Sequence, residues 1–241
     1  MIYHPKITLN HYQQLMLRLN DYSPYNAIHA VVMTEDGTLS QLQNSVNRVV
    51  RQLAIGIPQF SSDKQQVTFT ALAESVPLVK CESLLQKHIE HEMNYCFAIN
   101  EFPLRFFVIV DQDKHYFSVT YNHWIADGFS IYQLIESIFR CLRGEEPLPL
   151  TLSAPRIEDC FKSVYRKKSV YYRYLYLLKT VFCFTTAFRT RQSSHANAKS
   201  GCDFVFLEKG LVQELVNLCK KQEVSLNDLI MALLAKLFGR L

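Results

Sequence analysis

Glycine is scarce in this chain: seven in 241 residues, and none falls into a phosphate-binding loop or a dinucleotide fingerprint. Nucleotide hydrolysis and hydride transfer therefore have no support. No Gly-x-Ser-x-Gly elbow occurs, so a covalent acyl-serine has no nucleophile in its usual setting. The seven cysteines (Cys81, Cys96, Cys141, Cys160, Cys183, Cys202 and Cys219) are odd in number and scattered, without a Cys-x-x-Cys pair. They read as reduced structural thiols, not a disulfide framework or a zinc site. The first residues, Met1-Ile2-Tyr3-His4-Pro5-Lys6, have neither the apolar core nor the cleavage site of a signal peptide. These absences lead us to expect a cytoplasmic protein without a bound metal or cofactor.

Apolar residues make up 49% and charged residues 20%, the balance of an ordinary globular protein with one large core or two small ones. The net charge of +4 is unevenly placed. From Arg156 to Arg191 there are nine Lys or Arg against two acids, Glu158 and Asp159, which outweighs the whole surplus. Tyrosines and phenylalanines lie between these cations, while Arg173 and Lys179 interrupt any membrane span. Three roles are open for residues 162–191: a connecting helix, an interfacial helix in peripheral contact with anionic lipid, and, third, a single-strand binder that nothing else in the chain supports.

Periodicity divides the chain. Asn10 is placed to cap a helix through Leu19, Asn26 to Met33 reads as a strand, and a long amphipathic helix starts at Thr38. Strands are expected over Gln66 to Ala71 and Val76 to Cys81, and a helix over Glu82 to Asn94. Leu104 to Val110 and His115 to Tyr121 form a hairpin about Asp111-Gln112-Asp113-Lys114. Ser130 and Gln133 fit a capping box for a helix that stops near Gly144. Pro147, Pro149 and Pro155 mark a boundary, giving regions 1–150, 151–200 and 201–241. The last region should hold a strand over Cys202 to Leu207 and two helices, from Leu211 and from Ser225.

The hairpin leads into Tyr121-Asn122-His123-Trp124-Ile125-Ala126-Asp127-Gly128. Alternation puts His123 on the face of Phe117, Val119 and Tyr121, at the point where the strand ends. The His-x-x-x-Asp-Gly pattern resembles the active-site signature of acyltransferases related to chloramphenicol acetyltransferase, among them the condensation domains of peptide synthetases. Phe97 and Pro103-Leu104-Arg105 match the same pattern, so the resemblance covers about residues 1–150, and residues 201–241 resemble the start of the family's second half. It implies an α/β class, an α+β two-layer sandwich with a mixed sheet flanked by helices. Trp124 is the only tryptophan, so the family's later Asp-Phe-Gly-Trp-like motif has no counterpart.

The resemblance implies transfer of an acyl group from a coenzyme A or carrier-protein thioester, as co-substrate, to a hydroxyl or amine. His123 would be the general base, suited by an imidazole whose free pKa is about 6.5. Asp127 would be structural, paired with an arginine; Arg105 is the first choice and Arg51 the second. Gly128 would permit a positive φ or a close approach by substrate, and its amide is a candidate oxyanion donor. Asn122 departs from the second histidine usual in condensation domains. Other readings stand beside these. His123 can be a core histidine bound to a carbonyl, and Asp127 can cap the next helix. The chain can be a truncated, non-catalytic remnant that binds a carrier protein or a membrane. His88-Ile89-Glu90-His91-Glu92 reads as a solvated helix face, not a metal site.

Overall fold

Three helices of the first unit begin where the residue before them offers a side-chain oxygen to an orphan amide. The computed structural model describes residues 6–34, 37–72, 75–152, 178, 199–203 and 207–238. Helix α1 (His11–Asn20) is capped by Asn10 and α2 (Leu39–Gln52) by Thr38, each completed by a glutamine, Gln13 and Gln41. Helix α4 (Gly128–Leu142) is capped three residues before the expected Ser130, because the Asp127 carboxylate accepts the Ser130 N–H at 2.8 Å. Its end is as expected, with Gly144 at a φ of 78°. Helix α3 (Leu85–Met93) starts later than expected, because the preceding strand runs on through Glu82. Its N-cap residue Leu84 has no capping side chain, and the Leu85 N–H donates instead to Asp111 Oδ2 at 2.9 Å.

The strands are β1 (Ile7–Thr8), β2 (Asn26–Val32), β3 (Ile57–Phe60), β4 (Gln66–Thr70), β5 (Leu78–Glu82), β6 (Leu104–Asp111) and β7 (Lys114–Asn122). Four form a mixed sheet in the order β2-β7-β6-β5, parallel only between β5 and β6. β1, β4 and β3 form a small antiparallel sheet. β1 and β3 were not expected; they are two and four residues long, too short for a period, and β3 contains Pro58. Gly56 precedes β3 because a Cβ there would lie 1.9 Å from the Thr70 carbonyl oxygen.

Both faces of the mixed sheet are covered. One carries Phe106, Val108, Phe117, Val119 and Tyr121 into the main core with α2 and α4, where Phe117 meets Phe139 edge-on at 5.6 Å. The other carries Phe107, Ile109 and Tyr116 against α3. Each fully buried side chain of this size stabilises the fold by about 1.5–3 kcal/mol. The hairpin register pairs Leu104 with Tyr121 and Arg105 with Thr120, so Arg105 belongs to the α3 face. The run from His88 to Glu92 is not the solvated face expected: His88 is 7% and Glu92 1% exposed, facing the sheet.

The chain falls into two units, Met1–Cys202 and Asp203–Leu241. Within the second, α5 (Lys209–Lys221) and α6 (Leu226–Phe238) pack on one another. Ser225 and Asp228 exchange side-chain-to-backbone hydrogen bonds at 2.9 and 3.1 Å, the expected cap of α6. The strand expected over Cys202 to Leu207 falls at residues 204–206 outside the described residues, as does the basic aromatic segment 162–191 apart from Leu178. No helix among the described residues is long and apolar enough to cross a membrane.

Candidate active site

β7 ends at Asn122, and the next residue is carried out of the ladder. The His123 N–H still donates to the Tyr25 carbonyl at 3.1 Å, which fixes the backbone as the strand ends. Trp124 anchors the turn that follows. It is 4% exposed, lies against Phe60 and Phe69 of the small sheet at 5.1 and 6.4 Å, and its carbonyl accepts from Gln13 Nε2 at 3.2 Å. Strand end, buried indole and helix cap thus hold three successive points of one short loop.

The His123 ring lines a cavity of about 510 Å³. Leu53, Ile55, Leu104, Ile131 and Leu134 give it apolar walls, while Asn10, Gln13, Asp127 and Gln133 add polar groups. Tyr25, Tyr121 and Tyr12 surround the imidazole at 5.7, 5.8 and 6.5 Å between centroids. Its Nδ1 is buried and has no hydrogen-bond partner among the described residues. The ring is therefore not a core histidine satisfied by a carbonyl. Asn122, of opposite parity, lines a separate cavity of about 140 Å³ with Asn20, Phe97 and Glu101.

Asp127 meets no arginine among the described residues. Its carboxylate caps α4, and hydrogen bonding with Ser130 holds its pKa below the usual value, with the charge of His123 a last contribution. Arg105 is engaged elsewhere: Nε and an Nη donate to the two Glu92 oxygens at 2.9 and 3.2 Å, and the guanidinium stacks on Tyr95 at 3.8 Å. The strand register explains this correction, since Arg105 shares the face of Thr120 and α3. Arg51 is exposed in the last turn of α2 and makes no ion pair among the described residues. Gly128 does not use a positive φ. His29 is the neighbour beside it: its Cε1 and Nε2 lie 3.5 Å from where a Cβ would stand, ordinary contact distance.

His29 is the residue that sequence reasoning missed. Its strand had been recognised, and alternation groups it with Ala27 and Val31 on the core face, so a histidine on an apolar face was the available signal. Its ring lies 5.9 Å from that of Tyr121. Burial, then the charge of His123, lowers its pKa. Burial and then Asp127 push the Tyr121 hydroxyl up to about 12, so it stays protonated. Among the described residues no group of three His, Cys, Asp or Glu side chains is placed to hold a metal ion.

No family model and no curated protein matches the sequence. Solved structures do. The condensation domain of the monacolin K polyketide synthase MokA superposes with a TM-score of 0.56 at 13% identity, over 98% of this chain and 60% of that one. The X-domain from teicoplanin biosynthesis gives 0.52 at 16% identity, over 70% of this chain and 42% of its own. The same X-domain in its complex with OxyB gives 0.50 at 14%, covering 69% and 41%. This chain has a condensation-domain-like fold, and it spans about 60% of the length of the MokA domain.

Proposed function

We propose that the protein transfers an acyl group from a thioester of coenzyme A or a carrier protein to a hydroxyl or amine, with His123 as general base. The observation that carries this reading is the His123 ring on the wall of a 510 Å³ cavity, at the strand-to-helix turn of a condensation-domain-like fold. Cavities of this size take small organic groups, and apolar walls with a few polar groups suit an acyl chain with a reactive end.

The acceptor O–H or N–H attacks the thioester carbonyl while its proton passes to the imidazole. The tetrahedral intermediate then collapses, the C–S bond breaks, and the departing thiolate takes the proton back from His123. The Gly128 amide, at the positive end of α4, is the candidate donor to the oxyanion. Asp127 acts on the loop by capping α4, without touching the ring chemistry. In this reading the donor is a co-substrate, and no resident cofactor takes part.

A second reading is a binding module for a carrier protein or a membrane surface without chemistry. Asp127 favours it, because Arg105, the first choice for the arginine that the resemblance implies, is committed to Glu92. Mixing the protein with acyl-coenzyme A and acyl-pantetheine donors and a panel of alcohols and amines separates the two. Acylated acceptor detected by mass spectrometry supports transfer. No product from any pair, together with saturable binding of acyl carrier protein or of liposomes, supports the module.

A further inference from the structure

The register of β2 against β7 places His29 opposite Val119, on the face shared with Tyr121. Its side chain therefore points towards α4 and meets the first residue of that helix. The Cε1–Nε2 edge faces Gly128, at 3.5 Å from where an ideal Cβ would stand. On its other side the ring is tilted against Tyr121 at 5.9 Å, and Tyr121 in turn meets His123 at 5.8 Å. Nδ1 is buried with no partner among the described residues. Thus one imidazole, outside the His-x-x-x-Asp-Gly motif, faces the motif's glycine across the gap of one methyl group and shares a tyrosine with its histidine.

From this arrangement we infer that His29 is a positioning residue for His123: as a neutral ring it seats the first turn of α4, and on taking a proton it releases that turn. The inference rests on the acyl-transfer reading for its purpose, but not for its test. A proton on His29 places positive charge at the N-terminus of α4, where the helix dipole is already positive. It also charges a ring whose inner nitrogen has no acceptor. The groups that face it are few. Tyr121 on β7 stays protonated, His123 repels, and Asp127 has its carboxylate turned to Ser130. β2 carries no other ionisable group, Glu136 on α4 is exposed two turns further on, and α3 covers the opposite face. Nothing on the packed elements compensates the charge, in keeping with the lowered pKa of the ring.

The test reads the turn and the ring directly. Amide exchange protection of Ser130 to Tyr132 is measured by NMR from pH 7.5 downward, in wild type, His29→Asn and His29→Gln. In the wild type protection falls below pH 6.5, by at most about tenfold per pH unit, as one proton dictates. In whichever glutamine or asparagine variant folds, that fall disappears. The imidazole resonance of His29 is followed in parallel, and its midpoint rises in His123→Ala. An identical pH profile in the variants, or an unmoved His29 midpoint, overturns the inference. If the profile behaves as described and no thioester is ever turned over, the acyl-transfer reading fails while the positioning role stands.

Discussion

Removing the Arg105 guanidinium should damage the fold through Glu92 and leave Asp127 untouched. Glu92 has a side-chain exposure of 1%, and both of its oxygens are bound by Arg105, itself 27% exposed. Arg105→Met keeps the stem but strands a buried carboxylate, with the His91 ring at 3.1 Å as its remaining side-chain partner among the described residues. Breaking such a pair from one side costs about 3–5 kcal/mol. That is a large share of the roughly 5–15 kcal/mol that holds an ordinary domain together. Arg105→Lys, which loses the two-pronged geometry but keeps the charge, should cost less, and it provides a folded variant if the methionine one is too weak. The assay is urea unfolding in a double-mutant cycle. Arg105→Lys with Glu92→Gln should show a coupling above about 0.5 kcal/mol, whereas Arg105→Lys with Asp127→Asn should add within about 0.5 kcal/mol. Strong coupling to Asp127 with none to Glu92 would refute the assignment.

Substitutions at three further positions probe the loop and the glycines. Asp127→Ala should destabilise by about 1 kcal/mol through loss of the α4 cap, with Asp127→Ser restoring most of it, as read in thermal unfolding. Because the folded pKa of Asp127 is lowered, its contribution is present above the free value of 3.8 and is lost as pH falls through the folded value. An Asp127→Ala variant should accordingly lose less stability than wild type in acid, and equal pH slopes would contradict the cap. Gly56→Ala should abolish the soluble fold, since the methyl would meet the Thr70 carbonyl at 1.9 Å. Gly128→Ala should fold, its methyl in ordinary contact with His29 at 3.5 Å; circular dichroism distinguishes the pair.

The local elements were legible wherever a cap or a period was strong. Asn10 and the apolar period after Thr38 announced two helices, and the alternation from Phe117 to Tyr121 announced the strand that leads to His123. Where the signals were local but competing, position shifted: Asp127 outbid Ser130 for the start of α4, and pairing with β6 kept Glu82 extended. What is non-local could not be read. Arg105 was assigned to Asp127 because it stands on the neighbouring strand, yet hairpin register turned it to Glu92 on α3. His29 lies 94 residues from His123 in sequence numbering, and only β2–β7 pairing brings both to Tyr121. Burial of His88 and Glu92 likewise follows from which face of α3 meets the sheet.

The central claim is that the His123 imidazole removes the acceptor's proton, and single-turnover acyl transfer in His123→Ala tests it most directly. With the donor thioester and acceptor bound at saturation, the rate should fall by about 10²- to 10⁴-fold while the affinity for the thioester stays within a few-fold of wild type. Transfer at the wild-type rate in His123→Ala would contradict the account.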